Sequence, residues 1–167
     1  MNIALIVMYM QNIFYREALK ESMESISEKI NYIIDLFRKN NKRIIWIQDE
    51  KEKYGNIIKT EEFEIIDILK PGENEKRIIQ HYKNSFCESE LFEYLYMENI
   101  NTIIITGYYP EDCIFTTTTT YKGTFDYNVT PLFLKDAIAG SKEYLNVLEM
   151  ISKLITIREI EKTVKDV

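Results

Sequence analysis

The sequence predicts an α/β fold, a three-layer doubly wound sheet of about six mostly parallel strands with helices on both faces. Short apolar runs alternate with amphipathic stretches along the chain, the pattern expected of βαβ units. Ile3 to Met8 is almost continuously apolar, as a central strand covered on both faces should be. Glu17 to Asn40 carries Leu19, Met23, Ile26, Ile30, Ile33, Ile34 and Phe37 at helical spacing, with charges between them.

The remaining elements follow in order. Asn40 and Asn41 end the long helix, and Arg43 to Asp49 reads as the second strand. Residues 50–76 are charged and hold Gly55, Pro71 and Gly72, with a short helix expected over Glu62 to Leu69. Arg77 to His81 is a third strand, short and near an edge. Glu88 to Glu98 is a helix turning Leu91, Phe92 and Leu95 inward, and Thr102 to Thr106 is a fourth strand. Asp112 to Lys122 is expected to be helical, although its run of threonines has poor helix propensity and packing must compensate. Asn128 to Leu134 is strand five, Glu143 to Lys153 a helix, and Leu154 to Ile157 a short last strand. There is no internal repeat and no low-complexity linker, so residues 1–167 are expected to form a single domain.

Composition narrows the function classes. Apolar residues make up 46% and charged residues 29%, ordinary for a soluble globular protein. A formal net charge of −6 argues against nucleic acid, whose phosphates need a basic footprint. Lys39, Lys42 and Arg43 form the densest basic cluster and read as a solvated face. Met1 to Met10 has no basic flank and is too short to span a membrane, so no membrane partner is expected. The two cysteines, Cys87 and Cys113, make no disulfide framework, and a reducing cytoplasm is the simplest compartment. Cys87, beside Phe86, reads as incidental.

Cys113 is the best pointer to chemistry. It follows Ile103-Ile104-Ile105 and Gly107-Tyr108-Tyr109-Pro110-Glu111-Asp112, at a strand-to-helix turn. Ligands in open α/β sheets bind at the carboxyl ends of strands. A helix N-terminus offers unpaired N–H groups and the positive end of its dipole, which favour a thiolate and could hold an oxyanion. From position alone, a nucleophile and a small buried apolar residue are equally good readings.

Several segments together resemble one family, the isochorismatase-like cysteine hydrolases, which include nicotinamidases and related amidases. Ala4-Leu5-Ile6-Val7-Met8-Tyr9-Met10-Gln11-Asn12-Ile13-Phe14 resembles the family's L-I-V-I-D-M-Q-N-D-F opening. Ile78-Ile79-Gln80-His81-Tyr82-Lys83-Asn84-Ser85-Phe86, then Glu90-Leu91, resembles I-I-K-x-x-x-S-A-F-x-x-T-x-L. Gly107 to Cys113, then Thr117, resembles G-x-x-T-x-x-C-V-x-x-T, and Asp136-Ala137 after strand five fits the family's D-A pair.

The resemblance implies a triad in which a cysteine attacks a carbonyl or similar electrophile, an aspartate shuttles the proton and a lysine stabilises charge. Carried over by position, the nucleophile is Cys113, but the aspartate position holds Tyr9 and the lysine position holds Gln80. A phenol, protonated near neutrality, cannot take the thiol proton as a carboxylate does, and a carboxamide brings no charge. Lys83 lies only three residues before Phe86, where a solvated loop is expected, yet a shifted loop could bring it inward. Because both charges are gone together, neither is left buried and uncompensated. Tyr9 and Gln80 are therefore expected to hydrogen-bond or pack together. The implied oxyanion hole is the N–H of Tyr109 and of Cys113, commonly with a cis bond before Tyr109. The pocket would include Gln11, Phe14, Asp49, Phe86 and Tyr108, with Tyr108 and Tyr109 read first as aromatic packing or an oligomer contact.

No metal and no cofactor are expected. Nicotinamidases hold zinc with a D-x-H arrangement after strand two, and here Lys51 follows Asp49 at the histidine's place. The single histidine, His81, should face away from Gln80 on its strand. Asp49, Glu50, Glu111 and Asp112 are substitute bases, Asp112 being foremost a helix N-cap. One functional reading is a hydrolase with a remodelled site, cleaving a small amide, imide or vinyl ether through Cys113. The alternative is an inactive relative serving as a small-molecule binder or an assembly subunit. A flavodoxin-like nucleotide binder is disfavoured, since no Gly-rich phosphate loop follows strand one. The resemblance, and a supply of twelve tyrosines, implies a homo-oligomer, a dimer or larger.

Overall fold

The computed structural model describes residues 2–50, 60–87, 89–108, 111, 116 and 129–165, with no side-chain description for Glu17 and Ala18. Six strands form a parallel sheet: β1 (Ile3–Met8), β2 (Arg43–Asp49), β3 (Lys76–Gln80), β4 (Thr102–Tyr108), β5 (Thr130–Ala139) and β6 (Leu154–Ile155). Their order across the sheet is β3-β2-β1-β4-β5-β6. Four described helices accompany them: α1 (Glu17–Lys39), α2 (Leu91–Met97), α3 (Lys142–Ile151) and α4 (Ile157–Lys165). The path from β1 through α1 moves one way across the sheet, and the paths through α2 and α3 move the other way. Right-handed crossovers then put α2 and α3 on the face opposite α1. Helix α4 returns to pack on α1.

The central strands are apolar throughout because both faces are covered: every residue of β1 and of β4 is buried. Helix α1 supplies Met23, Ile26, Ile30, Ile33, Ile34 and Phe37 to the same apolar cluster. Its end is set by Asn40 and by Asn41, which takes the left-handed backbone that asparagine tolerates.

Several elements depart from expectation. No helix forms over 62–69. Ile65 instead makes an antiparallel bridge with Gln11, and Asn12 N–H and Ile13 N–H donate to Glu64 O and Glu62 O, both at 2.9 Å. The backbone beyond β1 needs these partners, and that need overrides the local spacing of Phe63, Ile66 and Leu69. β3 stops at Gln80, one residue before His81, and α2 begins at Leu91 rather than Glu88. β4 runs on through Gly107 to Tyr108. β5 continues to Ala139, so the Asp136-Ala137 pair lies inside it, in a register shift where Asp136 has φ +60°. Helix α3 stops two residues short of Lys153, and the last strand is only Leu154–Ile155. The sequence reading missed α4 altogether: it buries only Ile160 and Val164, too sparse a stripe to stand out.

One clasp holds the 70–76 approach to β3 against the rest of the fold. The Glu75 carboxylate accepts from Arg38 Nε at 2.8 Å, from Gly72 N–H at 2.7 Å and from the Trp46 indole N–H at 2.7 Å. Burial alone would raise this carboxyl, but the bonds from Arg38, Gly72 and Trp46 outweigh it and hold the group below its ordinary value. Stability from this source is therefore present above the unfolded-state value near 4.5 and is lost as pH falls through the lower folded value. Glu75→Gln should cost about 1–3 kcal/mol near neutral pH and shrink the acid-dependent loss seen in the wild type. Trp46, the single tryptophan, reports both by fluorescence-detected unfolding at several pH values.

Candidate functional site

The strand order reverses between β1 and β4, and ligands in such sheets bind at the carboxyl ends flanking that switch point. Met8 pairs in register with Gly107 there, so the chain leaves β1 at Tyr9 and β4 at Tyr108 side by side. Gly107 has φ +112°, and a Cβ on it would stand 2.2 Å from the Met8 carbonyl oxygen. Only glycine lets the two backbones meet so closely.

Tyr9 adopts φ +52°, an uncommon backbone for a bulky residue and of a kind that concentrates at functional sites. Its N–H donates to Ile47 O at 2.9 Å, and its side chain is buried at 1% exposure. The Tyr9 and Phe14 rings stand 6.3 Å apart, and those of Phe14 and Tyr108 stand 5.1 Å apart, both pairs tilted. An aromatic series thus lines the switch point, and it contains Tyr9, Phe14 and Tyr108 from the predicted set.

Gln80 closes β3 and pairs in register with Asp49 at the end of β2. It is buried at 2% exposure. Its Nε2 donates to Tyr82 O, while its Oε1 accepts from the Ser85 hydroxyl at 2.6 Å. Ser85 in turn accepts from the Thr116 hydroxyl at 3.1 Å. The hydrogen bonds of Gln80 therefore run to Tyr82 and Ser85 rather than to Tyr9. Sequence reasoning did not single out Ser85 or Thr116. The signal was a hydroxyl at Ser85, where the quoted motif has alanine, five residues after the substituted lysine.

Gln11 serves the scaffold. Its Nε2 donates to Asp49 O and to Phe63 O, each at 3.0 Å, and its Oε1 accepts from Asp49 N–H at 2.8 Å. Those three bonds account for both donors and one acceptor position of its amide. Gln48 Nε2 also donates to Phe63 O, at 2.9 Å. Phe86 is buried in the same apolar cluster, and Lys83 is exposed. His81 lies on the outside and pairs through Nδ1 with Glu50. Glu111 is half-buried and helical, and it accepts from the Tyr144 hydroxyl, which pushes that phenol up. Thr116 is helical and buried. Cys113, Tyr109 with its peptide bond, Lys51 and Asp112 lie outside the described residues.

Among the described residues the buried polar side chains are Gln11, Ser27, Gln48, Gln80, Ser85, Thr102, Thr106 and Thr116, none of them charged. No three His, Cys, Asp or Glu side chains among them come together as metal ligands would. No described helix is long and apolar enough to cross a membrane.

A sequence model of the isochorismatase domain matches residues 3–156. The chain belongs to the isochorismatase family. A relative, the uncharacterized isochorismatase family protein YrdC of Bacillus subtilis (strain 168), is 34% identical over 93 residues, 54% of this chain. The match spans only 50% of that relative's length. An isochorismatase-like hydrolase from Alkaliphilus metalliredigens superposes with a TM-score of 0.81 at 23% identity, covering 98% of this chain and 99% of that one. N-carbamoylsarcosine amidase from Thermoplasma acidophilum superposes at 0.77 with 17% identity, covering 93% and 96%. At these identities the structural likeness speaks for the isochorismatase-like fold.

Proposed function

We propose that the chain is a slow cysteine hydrolase of the isochorismatase type, acting on a small amide, imide or vinyl-ether substrate through Cys113. The supporting observation is the switch point itself. β4 ends beside Tyr9, and the helical residues Glu111 and Thr116 that follow it bracket Cys113 in sequence. In this reading Cys113 is the nucleophile, with the N–H groups of Tyr109 and Cys113 receiving the oxyanion. Tyr9 and Gln80 stand where the family's aspartate and lysine would, so proton transfer and charge stabilisation are both weak. That makes the reaction slow.

A second reading, a non-catalytic small-molecule binder or assembly subunit, is favoured by one observation. The amide at the lysine position is tied into a neutral buried network and carries no charge to a substrate. Apolar side chains left exposed along α3, namely Tyr144, Val147, Met150 and Ile151, support self-association in either reading.

The thiol separates the two. In a Cys87→Ser background, needed because Cys87 is exposed, the rate of Cys113 alkylation is followed against pH. Hydrolysis predicts a midpoint well below ~8.5, the ordinary thiol value. An unreactive thiol, or one with an ordinary midpoint, would leave only the binder.

A further inference from the structure

Three buried hydrogen-bonding side chains join the end of β3 to the helical residue Thr116 beyond β4. The Thr116 hydroxyl donates to Ser85 Oγ at 3.1 Å, the Ser85 hydroxyl donates to Gln80 Oε1 at 2.6 Å, and Gln80 Nε2 donates to Tyr82 O. Ser85 and Thr116 are each 1% exposed and Gln80 is 2% exposed, so water does not compete for these bonds. Every donor points the same way along the line, and bonds arranged head to tail polarise and strengthen one another.

We propose that Ser85 is a positioning residue for the site. A carboxamide can turn over and exchange its oxygen for its nitrogen at little steric cost, and only its partners fix which end is which. Tyr82 O, which can only accept, turns Nε2 toward itself, and the Ser85 hydroxyl pins the other end by donating to Oε1. The Ser85 proton goes to Oε1, and its oxygen accepts the proton of Thr116. Nε2 is thereby held as the donor end of Gln80. One of its two N–H groups goes to Tyr82 O, and the other, with no partner among the described residues, is left as an uncharged donor. A buried lysine would need a counter-charge; this amide needs a hydroxyl, and Ser85 provides it. Through Thr116 the same line ties the amide's orientation to the chain beyond β4. This deepens the hydrolase reading, since it names what sets the one polar group left at the lysine position, and part of its test is independent of that reading.

Two measurements decide it. In the isotope-labelled full chain, the two Gln80 side-chain amide protons should give separate, exchange-protected NMR signals. Ser85→Ala should shift them and speed their exchange with water at least about tenfold, while Ser85→Thr, which keeps the hydroxyl, should preserve their protection. Thr116→Val should act in the same direction as Ser85→Ala, and a global unfolding measurement on each variant confirms that the fold persists. In the Cys87→Ser background, Ser85→Ala should also slow alkylation of Cys113 by iodoacetamide roughly threefold to tenfold, with Ser85→Thr staying near the parent rate. Unchanged Gln80 signals in Ser85→Ala would overturn the assignment, as would Ser85→Thr failing in the same manner as Ser85→Ala. A parent thiol that resists iodoacetamide counts against the hydrolase reading alone, because the amide signals still decide the role of Ser85. A reactive parent thiol whose rate ignores Ser85→Ala overturns the positioning role and leaves the nucleophile standing.

Discussion

Gly107→Ala is expected to destabilise the protein by about 4 kcal/mol or more, combining backbone strain with overpacking. The added methyl would meet main chain rather than a movable side chain: Met8 O at 2.2 Å and Met8 N at 2.7 Å. Relief requires β1 and β4 to separate where they define the switch point, so the geometry of the candidate site should fail along with stability. Gly72→Ala is the milder comparison: its nearest neighbours are side-chain atoms of the clasped Glu75 at 3.0 to 3.3 Å, which need give by only a few tenths of an ångström. Thermal melting of the two variants tests the contrast. At roughly 2–4 °C per kcal/mol for a chain of this size, Gly107→Ala should melt at least about 8 °C below the wild type. Equal melting temperatures for Gly107→Ala and the parent would mean that β1 and β4 do not meet at this point as described.

The second large effect is catalytic and depends on a pair. Gln80→Lys alone buries an ammonium among neutral partners, and Tyr9→Asp alone buries a carboxylate beside aromatic rings. Each single change should cost about 3–5 kcal/mol. Made together, the two charges should compensate, so that the double variant is more stable than the sum of its parts predicts. It should also gain hydrolysis of simple amides by about 10² to 10⁴ over the parent, the range that general acid–base partners contribute. Denaturant unfolding of all four proteins gives the coupling, and amide turnover gives the rate. Additive stabilities with no gain in turnover would refute the mapping of Tyr9 and Gln80 onto the aspartate and lysine positions.

Legibility tracked the physics of each segment. The bounds of β1, β2 and α1 were readable because burial on both faces, or on one helical stripe, leaves a periodic mark. The 62–69 segment misled because its apolar spacing fits a helix as well as an extended piece, and its state is decided by the unpaired backbone of residues 10–13. The extension of β5 was hidden by Lys135 and Asp136, which interrupt the apolar run at the register shift. At the site, the family positions could be found in the sequence one by one, since motif spacing survives substitution. The partners of those positions could not. That Gln80 turns to Ser85 and Tyr82 rather than to Tyr9 depends on how a turn folds back, and no periodicity records that.

The antiparallel seam between residues 10–13 and 62–66 has a practical consequence for engineering. Gln11 and Gln48 both read the carbonyl of Phe63, and Ile66 N–H answers Met10 O at 2.9 Å. Lengthening the second stretch by one residue would turn Ile65 toward water and strand both glutamines. A graft meant to remodel this seam must therefore carry the two stretches across as a matched couple, or the new surface will arrive without its footing.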